Sequence, residues 1–137
     1  MIYLDTNIYI YAFCNNVDDM NQKAISQKIL KEAIKQKKLI VSELILYEFA
    51  FVARKLKEEE KSIVDNLNFL SKYKYDSPNI SNMVINLLEK NSLFKDSFDV
   101  YHVCFSNYYN CHELITFDRG FKRFRDFSMT DIKVLGF

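Results

Sequence analysis

Four short apolar runs punctuate the chain: residues 2–5 (IYLD), 38–41 (KLIV), 112–117 (HELITF) and 132–135 (IKVL). Each is strand-length, and the stretches between them carry helical signals instead. Ala24, Ile25, Ile29, Ala33 and Ile34 recur at helical spacing, which predicts a helix over 21–37. Residues 6–13 start another helix, and Ser42 is an N-cap for a third over 43–55. A charged helix follows over 57–72. Ser77-Pro78 supplies a cap and first turn for a helix to Asn91, and 96–109 forms the next. A short helical turn covers 119–125. Parallel strands need long crossovers, and helices provide them, so this alternation predicts an α/β fold with a mainly parallel sheet. Ligands of such sheets bind at the carboxyl ends of the strands, near a switch in strand order.

Composition narrows the choice. The 137 residues include only two Gly and one Pro, which excludes a loop-dominated fold and a Gly-rich phosphate loop. No repeat or linker interrupts the chain, so residues 1–137 are expected to form a single domain. The net charge is +1, so any contact with nucleic acid must come from a local site rather than a global field. Cys14, Cys104 and Cys111 are too few and too odd in number for a disulfide framework, and fit a reducing compartment. The opening MIYLDTNIYIYAF lacks a basic n-region and carries Asp5, and no apolar run approaches a membrane span. The expectation is a soluble, cytoplasmic protein with no membrane partner.

Several acids fall where surface charge should not. Asp5 ends the first strand, where helix capping alone would also explain an Asp. Glu48 has Leu44, Ile45, Phe51 and Val52 as its neighbours three and four residues away. An ionised Glu on an apolar face costs several kcal/mol unless it is paired, metal-bound, or at the edge with its head in water. Asp96 and Asp99 open a helix, where either would favour the N-terminus, but Asp99 adjoins the apolar run Val100, Tyr101, Val103, Cys104 and Phe105. Asp118 follows the third apolar run at a turn. Asp5 and Asp118 then share one rim of the sheet, with Glu48 and Asp99 on helices beside it. Four converging carboxylates raise one another's pKa and destabilise the fold unless a cation neutralises them. Oxygen-rich clusters select Mg²⁺ or Mn²⁺, and the chemistry that uses them is attack of a metal-bound water on a phosphodiester.

The segments LDTNIYIY, SELILYEFAFV, FDVYHVCFS and ITFDRGFKRF, in this order and at these spacings, resemble a PIN-domain nuclease of the VapC-like kind. The resemblance covers nearly the whole chain. It implies a parallel α/β/α sandwich and an acidic quartet that binds Mg²⁺ or Mn²⁺ and hydrolyses RNA. Residue by residue, it implies catalytic and metal-binding roles for Asp5, Glu48, Asp99 and Asp118, with Asn7, Thr116 and His102 as supporting residues. Asp96 is a rival for the third place, at a spacing that fits less well. Most stand-alone relatives of this size resemble toxins of toxin–antitoxin pairs, which implies a homodimer held inactive by a small antitoxin protein.

Other constellations weigh less. His102, Cys104, Cys111 and His112 do not make a zinc site, since His102 and Cys104 diverge on a helix and no C-x-x-C knuckle exists. Arg119, Lys122, Arg123 and Arg125 follow Asp118 closely and are candidates to hold substrate phosphate, although a solvated turn explains them as well. The segment 21–41 carries six Lys against one Glu, the pattern of a solvated helix face. Tyr9, Tyr11 or Tyr47 could stack bases or line an interface. The leading expectation is a metal-dependent endoribonuclease acting through the quartet. The alternatives are a non-toxin RNA-processing PIN nuclease and a non-catalytic RNA- or protein-binding module. A phosphotransferase of the haloacid-dehalogenase type needs D-x-D, and position 7 is Asn.

Overall fold

The structure, a computed structural model, describes residues 1–136. Its sheet comprises β1 (Ile2–Leu4), β2 (Leu39–Ile40), β3 (Glu113–Thr116) and β4 (Asp131–Val134), in the spatial order β2-β1-β3-β4. All three strand pairs are parallel. Among the described residues six α-helices flank it: α1 (Thr6–Phe13), α2 (Met20–Lys35), α3 (Glu43–Lys55), α4 (Glu60–Ser71), α5 (Ser81–Asn91) and α6 (Ser97–Tyr108). This is the α/β arrangement with a parallel central sheet that the alternating pattern predicts.

β1, β2 and most of β3 read as continuous apolar runs because they are buried on both faces, as parallel strands are. Tyr3, Leu4, Ile40 and Leu114 are fully buried. β4 lies at the edge and reads differently, with Asp131 and Lys133 exposed on either side of buried Ile132. Charge on an edge strand discourages pairing with another chain. The strand order fixes the location of the site. From β1 the chain passes through α1 and α2 to β2 on one side. It then crosses through four helices to β3 on the other side of β1. The switch point therefore falls between the carboxyl ends of β1 and β3, where helix-connected sheets open a crevice.

Helix starts follow side-chain chemistry. Asp5 caps α1 through Thr6 N–H (2.8 Å), Asp19 caps α2 through Asn21 and Gln22 N–H, and Ser42 caps α3 through Ile45 N–H. The ends of α2, α3, α5 and α6 are closed by left-handed residues, normally the place of glycine. With so few glycines available, Lys37, Lys57, Ser92 and Asn110 take this conformation, at φ from 53° to 61°.

Two helix starts differ from the sequence expectation by more than a single residue. α4 begins at Glu60 rather than 57, because left-handed Lys57 ends α3 and Glu58 turns inward. There the Glu58 carboxylate accepts the backbone N–H groups of Asn15 (2.6 Å) and Asn16 (3.0 Å). α5 begins at Ser81 rather than at Ser77-Pro78, because Ser77 Oγ donates to Glu43 (2.8 Å) instead of capping a helix. β3 and β4 are joined by a 3₁₀ segment, Arg119–Phe127, seated on buried Phe121 and Phe124. No helix among the described residues is long and apolar enough to cross a membrane.

Candidate active site at the carboxyl edge of the sheet

Asp5 leaves β1 at the switch point and is almost wholly buried. Its Oδ1 caps α1, so the capping explanation of this residue is correct as far as it goes. Its Oδ2 accepts from Thr116 Oγ1 (2.7 Å) and Asn7 Nδ2 (3.2 Å). Asn7 Nδ2 also reaches Thr116 Oγ1 (3.2 Å), and Asp118 N–H donates to that same hydroxyl (2.9 Å). Thr116 thus ties the end of β3 to the end of β1. Burial pushes the Asp5 carboxyl above its ordinary range; the charge of His102 and these hydrogen bonds offset part of the rise.

Glu48 approaches from α3. It is paired, as a Glu on an apolar face must be. Oε1 accepts from Thr6 Oγ1 (2.6 Å) and from His102 Nε2 (2.6 Å). Burial pushes the Glu48 carboxyl up, but the bond and charge of His102 and the Thr6 hydroxyl outweigh it and hold the carboxyl low. For fully buried His102 the balance mirrors this. Burial pulls the imidazole down, while Glu48 and the charges of Asp5 and Asp99 carry it above its ordinary value. One ligand atom each from Asp5, Glu48 and His102 lie within 4.8 Å of one another.

Asp99 completes this side from the first turn of α6, half-buried. Burial pushes its carboxyl up to about 7, and the charges of Asp5, Asp118 and Glu48 add to the rise against His102. Asp118 is exposed, and its Oδ1 accepts Gly120 N–H (2.8 Å). A Cβ at Gly120 would lie 3.1 Å from that oxygen, so the turn is shaped around the Asp118 carboxylate. The four acids therefore act on one another electrostatically from four separate elements.

The remaining candidates are placed differently. Asp96 pairs with Arg123 (2.7 Å), whose guanidinium also lies over the Phe124 ring. Arg125 donates to Ile132 O (3.2 and 3.1 Å). Arg119 and Lys122 are exposed on the segment after Asp118. Tyr9 is fully buried in the core, where no base can reach it; Tyr11 donates to Asp18 (2.6 Å), while Tyr47 is exposed. The basic side of α2 is partly structural, since Lys23 Nζ donates to Cys14 O (2.6 Å).

A cleft of about 660 Å³ opens beside the acids, lined by Asp5, Asn7, Glu48, Tyr47, Phe51 and Phe98 among others. Sequence reasoning missed three residues here. Thr6 supports Glu48 directly, and Tyr3 and Ser42 stand behind His102. The available signals were a tyrosine inside an apolar strand, whose hydroxyl needs a partner, and a His three residues after Asp99 on one helix face.

Geometry and chemistry together define a parallel α/β domain with a carboxylate cluster at its switch point. Such oxygen donors, one of them raised to about 7 by burial and then by its neighbours' charge, fit a hard divalent cation. The PIN domain family model matches residues 2–126, and the chain belongs to that family. PIN domains are generally nucleases and typically use divalent metals, so a nucleic acid is the substrate class the family implies. No curated protein matches the chain.

Proposed function

We propose that this PIN-domain protein is a Mg²⁺- or Mn²⁺-dependent endoribonuclease and the toxin of a toxin–antitoxin pair. The carrying observation is the grouping of Asp5 and Glu48 with His102 within 4.8 Å at the switch point; the charges of Asp5, Asp118 and Glu48 that raise the Asp99 carboxyl support adding Asp99 and Asp118 to it. These four residues would hold the ion or ions. A bound divalent ion would supply a Lewis acid that activates water and stabilises charge developing on the phosphodiester. Thr116 and Asn7 fix Asp5, and Thr6 and His102 fix Glu48, so the donors are positioned before any ligand arrives. Arg119 and Lys122 would hold the backbone phosphates next to Asp118. Arg123 would act less directly, being already engaged by Asp96. Asp96, so engaged, supports the segment after Asp118 rather than taking the third ligand place.

The toxin role rests on the resemblance of the motifs. The exposed apolar wall of Tyr47, Phe51 and Phe98 beside the acids is compatible with a small antitoxin or a second protomer covering it. We take the whole chain to act as one domain. Three buried thiols, Cys14, Cys104 and Cys111, suit work in the cytoplasm. The test is cleavage of a single-stranded RNA with Mn²⁺ by the purified protein. Asp5→Asn is expected to abolish cleavage, and retained cleavage in that folded variant would overturn the reading.

A further inference from the structure

A chain of buried hydrogen bonds runs behind Glu48. Ser42 Oγ, which accepts the Ile45 N–H as the cap of α3, is 2.7 Å from the Tyr3 hydroxyl. That hydroxyl shares a hydrogen bond with His102 Nδ1, and His102 Nε2 meets Glu48 Oε1 at 2.6 Å. Tyr3, Ser42 and His102 are all fully buried. Glu48 Oε1 belongs to an ionised carboxylate and can only accept, so Nε2 carries the proton whether the ring is neutral or charged. With that proton donated to Glu48, Nε2 has no lone pair for a metal. The cluster of Asp5, Glu48 and His102 is therefore not a three-ligand centre in this arrangement.

Glu48 Oε1 also accepts from Thr6, while Oε2 has no hydrogen-bond partner among the described residues. We propose that His102, held by Tyr3, is a positioning residue that saturates Glu48 Oε1 and leaves Oε2 alone to face the cation. The same chain joins β1, the cap of α3 and α6, so one buried network sets both the start of α3 and the carboxylate at its middle. Partners behind a ligand of this kind typically shift metal affinity by about ten- to a hundredfold when removed. The inference rests on the reading of Glu48 as a metal ligand.

The experiment is calorimetric titration of metal-free protein with Mn²⁺, beside its melting temperature without metal. His102→Gln keeps a donor near the Nε2 position, and His102→Leu does not. Both leave the Tyr3 hydroxyl without its ring partner, so a purely structural role lowers the melting temperature in both and leaves Mn²⁺ affinity equal between them. The proposal expects His102→Leu to weaken Mn²⁺ binding about ten- to a hundredfold, and His102→Gln to keep an affinity closer to wild type. Equal affinities in the two variants overturn it. If neither variant folds, Tyr3→Phe, which deletes one oxygen, decides: weakened binding supports the proposal and wild-type binding overturns it. Glu48→Gln separates the levels, because wild-type Mn²⁺ affinity in that variant contradicts the ligand reading itself.

Discussion

Burial and crowding meet at Asp99 on the residue scale. Its carboxyl is held at about 7 against an ordinary 3.8, first by burial and then by the charges of Asp5, Asp118 and Glu48. A raised carboxyl binds its proton more tightly in the folded state than in the unfolded chain. Its contribution to stability is thus complete below about pH 4 and is lost as the pH rises through about 7. Metal binding needs the ionised form, so the dependence of affinity on pH runs the opposite way. We expect Mn²⁺ affinity to climb between pH 5 and pH 7.5 or so. Asp99→Asn should flatten the fall in metal-free melting temperature over the same range. Titration and thermal melts in buffers of matched ionic strength measure both, and an unaltered pH profile in Asp99→Asn would contradict the assignment. The positions of Asp5 and Asp118 were legible because a strand end and a turn announce themselves locally. The bond from His102 to Glu48 was not, since it joins residues 54 positions apart through the fold alone.

At the scale of elements, the chain closes its helices without glycine. Lys57 follows α3 at φ 61°, with its N–H bonded to Arg54 O (2.9 Å) and the next N–H to Ala53 O (3.2 Å). Lys37 repeats the pattern after α2, with bonds to Ile34 O and Ala33 O. An L-residue in the left-handed region costs roughly 1–2 kcal/mol, part of which glycine loses again through the entropy of the unfolded chain. Lys57→Gly is therefore expected to stabilise the protein by about 0.5–1 kcal/mol, read by urea denaturation. A destabilised variant would show that the Lys57 side chain contributes more than its backbone strain costs. The same geometry explains what the sequence pattern misjudged. A helix over 57–72 is a fair reading of charged, periodic residues, but nothing local reveals that Lys57 is left-handed or that Glu58 serves the loop after α1. Ser77-Pro78 likewise has the chemistry of a helix start, and a tertiary partner, Glu43, takes its hydroxyl. At Ser42 the hydroxyl accepts the Ile45 N–H while it also meets the Tyr3 hydroxyl, so cap and tertiary contact coexist, and the predicted bounds 43–55 match α3.

At the scale of the whole molecule, near-neutral charge conceals an uneven distribution. Carboxylates gather at the switch point, and exposed Arg119 and Lys122 follow directly on the segment after Asp118. If those cations hold backbone phosphate, Arg119→Ala and Lys122→Ala should raise KM for RNA and reduce the salt dependence of binding, with Mn²⁺ affinity unchanged. A loss of Mn²⁺ affinity instead would mean that they support the acids rather than the substrate. The parallel α/β order was readable from four apolar runs, because strand period and helix period differ so plainly. The spatial order β2-β1-β3-β4 was not, yet it is this order that brings the ends of β1 and β3 together.

The central claim is that the acids at this switch point hold a divalent ion for RNA cleavage. Asp99 tests it most directly, because Asp5 also caps a helix and holds Thr116, so that its side chain serves the fold as well as the site. The measurement is the rate of single-stranded RNA cleavage by wild type and Asp99→Asn, with Mn²⁺ and with EDTA, on protein whose folded state is checked by circular dichroism. Cleavage by wild type with Mn²⁺ only, and none by the folded variant, is the predicted result. Cleavage that persists in EDTA, or at the wild-type rate in Asp99→Asn, would contradict the account.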